Sequence, residues 1–383
     1  MGYRTFAEKA IGSKYEKKGW PCQDHINKWN LDGTQVIAVA DGHGSNDCFR
    51  SQIGSQLAII AAHHESEKYR ISSATPNDKM IMFTQTGIDN LKYNIWDRWK
   101  GLVRHHWDSE IIKKGKLSDD EIRYKSVSDK YKNRYNAEDK SVVEQYLYNA
   151  YGTTLLMAIS IETQLLLIQI GDGTCVILQR DGDFRTPVPA DDNNILNQTT
   201  SLCEDNAHLK IRHAVIDCSF ESPTYPVAVF LSTDGVDDCF PVYKNEEHLY
   251  KLYTNVIENI IEKGFDATEK ELKKDTLPGL TASGSQDDIS LAYFIYDDIG
   301  ILKETFNNID DEHKSKPEMP QEMPLLTETV PCTGVKVKSL HELSERGKKD
   351  DMFADGVFLY SETKCFVNNV KGDATIKRID CEA

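Results

Sequence analysis

The sequence contains no run of about 18 consecutive apolar residues. It also has no basic-then-apolar leader, so neither a helical membrane span nor a signal peptide is expected. No Cys-x-x-Cys pair occurs among the nine cysteines, which are odd in number and widely spaced. That pattern argues against a zinc knuckle and a disulfide framework, and for a reducing cytoplasm. Positive charge is in short supply: 45 Lys and Arg stand against 61 Asp and Glu, a formal net charge of −16. A field of that sign disfavours nucleic acid and anionic membrane surfaces. No internal repeat is visible. What remains is a 383-residue chain of ordinary apolar content, 39%, enough for one large domain with an appendage.

The stretch Val36-Ile37-Ala38-Val39-Ala40-Asp41-Gly42-His43-Gly44-Ser45 organises the rest. Its small and β-branched apolar residues predict a strand buried on both faces. Aspartate is a poor strand former, and two nearby glycines permit a tight turn. A carboxylate therefore sits at the tip of a core strand beside a bare glycine carbonyl. Ser45 is a good N-cap, and Ile53, Leu57, Ile60 and Ala61 keep helical spacing, predicting a helix over 45–65.

A second helix is expected over 80–112, with Trp96, Trp99 and Trp107 read as packing residues. Residues 113–141 are strongly charged without a sustained period and read as a solvated insertion. A short helix over 141–149 leads into an antiparallel meander over 153–178, followed by strands near 213–218 and 226–232. An amphipathic helix carrying Leu249, Leu252, Val256 and Ile260 precedes a last strand over 289–296. The expected division is a catalytic domain over 1–298, a Glu/Lys/Pro-rich linker over 299–332 and an extension of unknown role over 333–383.

Several segments share one design, in which an apolar strand ends, or a turn begins, on an aspartate. They are Ala40-Asp41-Gly42, Thr233-Asp234-Gly235 and Gln286-Asp287-Asp288, with Gly171-Asp172-Gly173 and Gln23-Asp24 beside them. Any one of them could be an ordinary turn. Carboxylates brought together repel, so a cluster needs cations or shared protons. Oxygen ligands without Cys/His spacing point to Mg²⁺ or Mn²⁺ rather than zinc.

The ordered set resembles the metal-dependent protein phosphatases of the 2C type over about residues 8–297. Gly19-Trp20-Pro21-Cys22-Gln23-Asp24 and Tyr151-Gly152-Thr153-Thr154 are similar to the bacterial branch. The resemblance implies an α+β sandwich of two antiparallel sheets flanked by helices, with metal ions at one end. It implies that Asp41 bridges two ions with the Gly42 carbonyl, and that Asp234 and Asp287 complete the first site. Asp24, or its neighbour Gln23, would lie near the second ion, mostly through water, and Asp172 and Asp238 match positions that hold a third ion in some relatives. His43 matches the general acid for the leaving oxygen. A phosphorylated protein, with a cognate kinase that makes it, would be the partner, and a metal-bound water would attack phosphorus directly. Two departures stand out. Gly19 occupies the place of a phosphate-gripping arginine, leaving Lys14, Lys17 or Lys18 to supply the charge without its bidentate fork. Gln23 replaces a carboxylate found in eukaryotic relatives. A catalytically silent module that binds a phosphoprotein or signalling partner is the alternative to an enzyme.

Overall fold

The structure is a computed structural model, and it describes residues 2–31, 34–73, 83–114, 123–137, 139–161, 163–191, 199–241 and 245–317, with three strands between 356 and 379. It comprises two units, Met1–Pro320 and Gln321–Ala383. In chain order the first unit begins β1 (Tyr3–Ala10), α1 (Ser13–Lys18), β2 (His25–Leu31), β3 (Thr34–Ala40), α2 (Ser51–Ser73), α3 (Gln85–Lys114), α4 (Asp129–Tyr135) and α5 (Lys140–Tyr146). It continues β4 (Leu155–Ile161), β5 (Gln164–Ile170), β6 (Thr174–Gln179), β7 (Phe184–Arg185), β8 (Arg212–Asp217), β9 (Pro226–Ser232), α6 (Asp234–Asp237) and α7 (Asn245–Lys263). It ends with α8 (Phe265–Glu271), α9 (Leu277–Ser283), β10 (Ile289–Tyr296) and α10 (Ile299–Asn308).

The strands form two five-stranded sheets, ordered β1-β10-β9-β6-β7 and β2-β3-β4-β5-β8. Every neighbouring pair is antiparallel. Period-two alternation explains why β3 to β5 read as continuous apolar runs. Ile37, Val39, Leu156, Ala158, Leu165 and Leu167 join one core cluster with the other sheet's Val176, Val229 and Leu291. Their alternates Val36, Ala38, Leu155, Met157, Leu166 and Ile168 join a second cluster with Ala58 and Ala62 of α2 and Leu91, Ile95 and Trp99 of α3. Both faces are covered, so neither can carry a polar residue without loss. Trp96, Trp99 and Trp107 are all buried, as packing residues should be. On the other sheet, Leu249, Leu252, Val256 and Ile260 of α7 supply the apolar stripe.

Helix α2 starts at Ser51 rather than 45. The intervening residues are held as turns from outside, with the Arg50 amide donating to the Ala150 carbonyl at 2.7 Å. Close packing continues at Gly54, where a Cβ would stand 1.9 Å from the Tyr151 carbonyl oxygen. The Gly54 carbonyl accepts from Trp99 Nε1 at 3.0 Å. Gly54→Ala must push α2 from that strand-proximal turn, and an overpacking cost of about 1–3 kcal/mol is expected. A lowered urea midpoint at unchanged slope would register it.

Residues 299–308, placed by the sequence in a linker, form α10. Asp298 caps it, Oδ1 accepting from the Gly300 and Ile301 amides at 2.8 and 3.2 Å. Leu302 is fully buried in the core cluster shared with α7. The second unit contains an antiparallel meander of β11 (Gly356–Tyr360), β12 (Thr363–Val370) and β13 (Asp373–Ile379). The apolar patch at Val335 and Val337 lies outside the described residues.

Candidate metal centre

Strand register gathers the acidic turns at one end of the sandwich. Ala40 pairs with His25, which sets Asp24 beside Asp41. Leu155 pairs with Ile170, so Thr154 meets the Gly171 turn. Thr174 and Leu291 both pair with Ser232, which brings the Asp172 turn and the residues before β10 to Thr233 and Asp234.

Gly152-Thr153-Thr154 does specific work here. The Thr154 amide and the Thr153 hydroxyl both donate to the Asp41 carbonyl, at 2.8 and 2.7 Å. The Asp41 amide donates back to Thr154 Oγ1 at 3.0 Å. The backbone of Asp41 is thus saturated, leaving its carboxyl free to point into the cleft. Gly42 has no room for a side chain, since a Cβ would lie 2.7 Å from the carbonyl oxygens of both Gln23 and Ser51. Gly171 carries φ +104, which lets the chain reverse at Asp172. Arg212 fixes that turn by donating to the Gly171 carbonyl at 2.6 Å and the Pro189 carbonyl at 2.7 Å.

Asp41, Asp172 and Asp234 each place a carboxylate oxygen within 4.8 Å of the others. Burial, then the charge of Asp234, holds Asp41 well above the usual carboxylate range. Burial, then Asp172, does the same to Asp234, while a side-chain hydrogen bond between the two raises Asp41 and lowers Asp234. Asp24 is 1% exposed. Its Oδ2 accepts from Thr233 Oγ1 at 2.9 Å and Ser290 Oγ at 2.8 Å, while Oδ1 has no hydrogen-bond partner among the described residues. Burial and Asp288 push it up to about 7. An all-oxygen, half-buried, mutually repelling donor set beside the orphaned carboxylate oxygen of buried Asp24 fits a hard divalent cation, which would relieve the repulsion.

The remaining expected residues divide. Asp172, an outlying third-ion position in the resemblance, belongs to the close set. Asp287 stands beside it, its Oδ2 ion-paired to Lys14 Nζ at 2.5 Å. Asp288 faces the other way and clasps the Gly12 and Gln23 amides, both at 2.6 Å. Asp238 is exposed at the end of α6 and adds its charge to Asp234. The His43 amide donates to the Gly152 carbonyl at 3.1 Å. Burial lowers its imidazole below the ordinary histidine range, against the opposing pull of Asp172, Glu204 and Asp47. Lys18 lies over the Trp20 ring, 5.0 Å from its centroid.

Sequence reasoning missed Tyr15. Its buried phenol hydrogen-bonds the Asp287 side chain, and a Cβ on Gly44 would stand 2.7 Å from its oxygen. Its ring stacks on Trp20 at 5.8 Å. A lone tyrosine on a six-residue helix gives no periodic signal.

The family model for protein phosphatase 2C matches residues 11–274. The chain belongs to the protein phosphatase 2C family. No curated protein sequence matches it significantly. Among solved structures it is similar to the serine/threonine phosphatase PstP/Ppp of Mycobacterium tuberculosis, at 13% identity and TM-score 0.43, covering 78% of this chain and 100% of that one. The catalytic domain of PstP in complex with two manganese ions gives 14% and 0.43, covering 77% and 98%. Serine/threonine phosphatase Stp1 of Staphylococcus aureus gives 12% and 0.45, covering 78% and 96%. Among the described residues of this family member, no helix is long and apolar enough to cross a membrane.

Proposed function

We propose that this 2C-family chain is a Mg²⁺- or Mn²⁺-dependent phosphatase acting on phosphoserine and phosphothreonine of proteins. The observation that carries the reading is the convergence of Asp41, Asp172 and Asp234 within 4.8 Å in a member of this family. Asp41, Asp234, Asp172 and the Gly42 carbonyl would hold the divalent ions, with Asp24, Asp287 and Asp238 adding their charge nearby. When bound, such ions lower the pKa of a coordinated water and polarise phosphoryl oxygens.

The protein's own groups do the rest. Lys14, ion-paired to Asp287, would offer its ammonium to the incoming phosphate. As a point charge it attracts phosphate without the orienting fork of arginine. A serine leaving group departs as a poor alkoxide unless protonated, and His43 would deliver that proton from Nδ1 or Nε2. Asp172 and Glu204 pull its imidazole toward the protonated form, against the burial that lowers it.

The Lys14–Asp287 pair and the absence of arginine at Gly19 favour a second reading, a silent module that binds a phosphoprotein. The wild-type chain, assayed with a chromogenic phosphate ester and with phosphoserine, phosphothreonine and phosphotyrosine peptides, separates the two. Turnover that requires Mn²⁺ or Mg²⁺, is abolished by a chelator and prefers the first two peptides is expected. No turnover with either ion would sink the enzyme and leave the binding module.

A further inference from the structure

Residues 43–50, between Asp41 and α2, form only turns, yet they carry the backbone that aims Asp41, Gly42 and His43. What holds them comes from the charged stretch that sequence analysis reads as a solvated insertion. Arg123 is 3% exposed. Its Nη1 donates to Ser51 Oγ at 2.6 Å, and its Nη2 donates to the carbonyls of Ser45 and His43 at 3.0 and 3.3 Å. One planar guanidinium therefore touches the start, middle and end of the turn. Ser51 passes the contact on, its hydroxyl donating to Gln23 Oε1 at 3.3 Å, next to Asp24. The guanidinium carbon lies 5.2 Å from the ring centroid of Trp20, the neighbour of Gly19.

Burying a guanidinium on neutral acceptors is costly, even though arginine is less strongly hydrated than lysine. In a chain with 61 acidic residues, a carboxylate partner would have been easy to supply. Neutral carbonyls instead leave the acidic side chains of the centre uncommitted. We propose that Arg123 is a positioning residue for the metal centre, holding the Asp41-Gly42-His43 turn in the shape that accepts cations. The inference rests on the metal-centre reading above and adds a residue that no motif of the family set contains.

The test uses the full chain as wild type, Arg123→Met, Arg123→Lys, Arg123→Ala and Asp234→Asn. Calorimetric titration with Mn²⁺ gives affinity without activity, and ester hydrolysis against Mn²⁺ concentration gives kcat and the metal requirement. Loss of a residue that orients metal ligands typically weakens affinity about 10- to 100-fold, and Arg123→Met is expected in that range. Its kcat at saturating Mn²⁺ is expected to fall by a smaller factor than its Mn²⁺ affinity. Added guanidinium ion is expected to restore Mn²⁺ affinity to Arg123→Ala, which a merely structural defect would not allow. Unchanged Mn²⁺ affinity in Arg123→Met overturns the proposal. Should that variant not fold, unchanged affinity in Arg123→Lys overturns it equally. Wild type that binds no Mn²⁺ would overturn the metal centre itself. If wild type binds, Asp234→Asn does not, and Arg123→Met matches wild type, only the role of Arg123 falls.

Discussion

Asp234→Asn is expected to abolish Mn²⁺-dependent ester hydrolysis while leaving the metal-free protein at least as stable as wild type. The substitution keeps the shape of the side chain and removes its negative charge. Metal-assisted catalysis supplies several kcal/mol of transition-state stabilisation, so a fall of roughly 10³-fold or more in kcat/KM is expected. Stability moves the other way for a separate reason. Burial and the charge of Asp172 hold Asp234 well above its ordinary value, so its ionised form is a liability in the metal-free fold. A neutral amide removes that repulsion and can still hydrogen-bond Asp41. Thermal melting in chelator alongside the hydrolysis assay checks both halves. Lost activity with a lowered melting temperature would indicate damage to the fold instead. Activity within an order of magnitude of wild type would remove Asp234 from the centre.

Strands β3, β4 and β5 were legible because they bury both faces, and such runs admit few other elements, while their assembly into a two-sheet sandwich was implied by the resemblance to the 2C-type phosphatases. The aspartates were legible because a carboxylate at a strand tip violates the local pattern, at Asp41 and again at Asp234. Which of them share a centre was not legible. The proximity of Asp172 to Asp41 follows from the register of β4 on β5 and β6 on β9, and register is a property of paired strands, not of any one of them. Asp287 and Asp288 are adjacent and chemically identical, yet one meets Lys14 and the other clasps two backbone amides. Alternation along the approach to β10 separates them, and the sequence carries no mark of which faces the cleft. Arg123 left no signal because its donors go to backbone carbonyls, which every residue has. Helix α10 was hidden by the charged, proline-containing sequence that follows it, although Asp298 is a good cap.

Metal-free protein should lose stability as pH rises from about 5 to 8, and Mn²⁺ should restore it mainly at the upper end. Asp24 is pushed up to about 7, and Asp41 and Asp234 also lie above the usual carboxylate range. Between the ordinary carboxylate value and these raised ones, the folded chain binds more protons than the unfolded chain. Stability therefore falls with rising pH across that window, opposite to the behaviour of a salt-bridged carboxylate. Below the window the carboxyls stay protonated and Mn²⁺ must displace protons to bind, so its effect is small. Above it the ions replace no proton and neutralise the repulsion directly. At a free Mn²⁺ concentration about 100 times Kd, one ion contributes about 2.7 kcal/mol. For a domain of this size that corresponds to a rise in Tm on the order of 5 °C per ion. Melting curves at pH 5.5 and 8.0, with Mn²⁺ and with chelator, provide the comparison. Asp24→Asn should flatten the chelator curve, since it removes one of the titrating groups while keeping acceptance from Thr233 and Ser290. An equal Mn²⁺ shift at both pH values would mean that these carboxyls do not hold the ion. A metal-free protein more stable at pH 8.0 than at 5.5 would mean that their charges are already compensated within the fold.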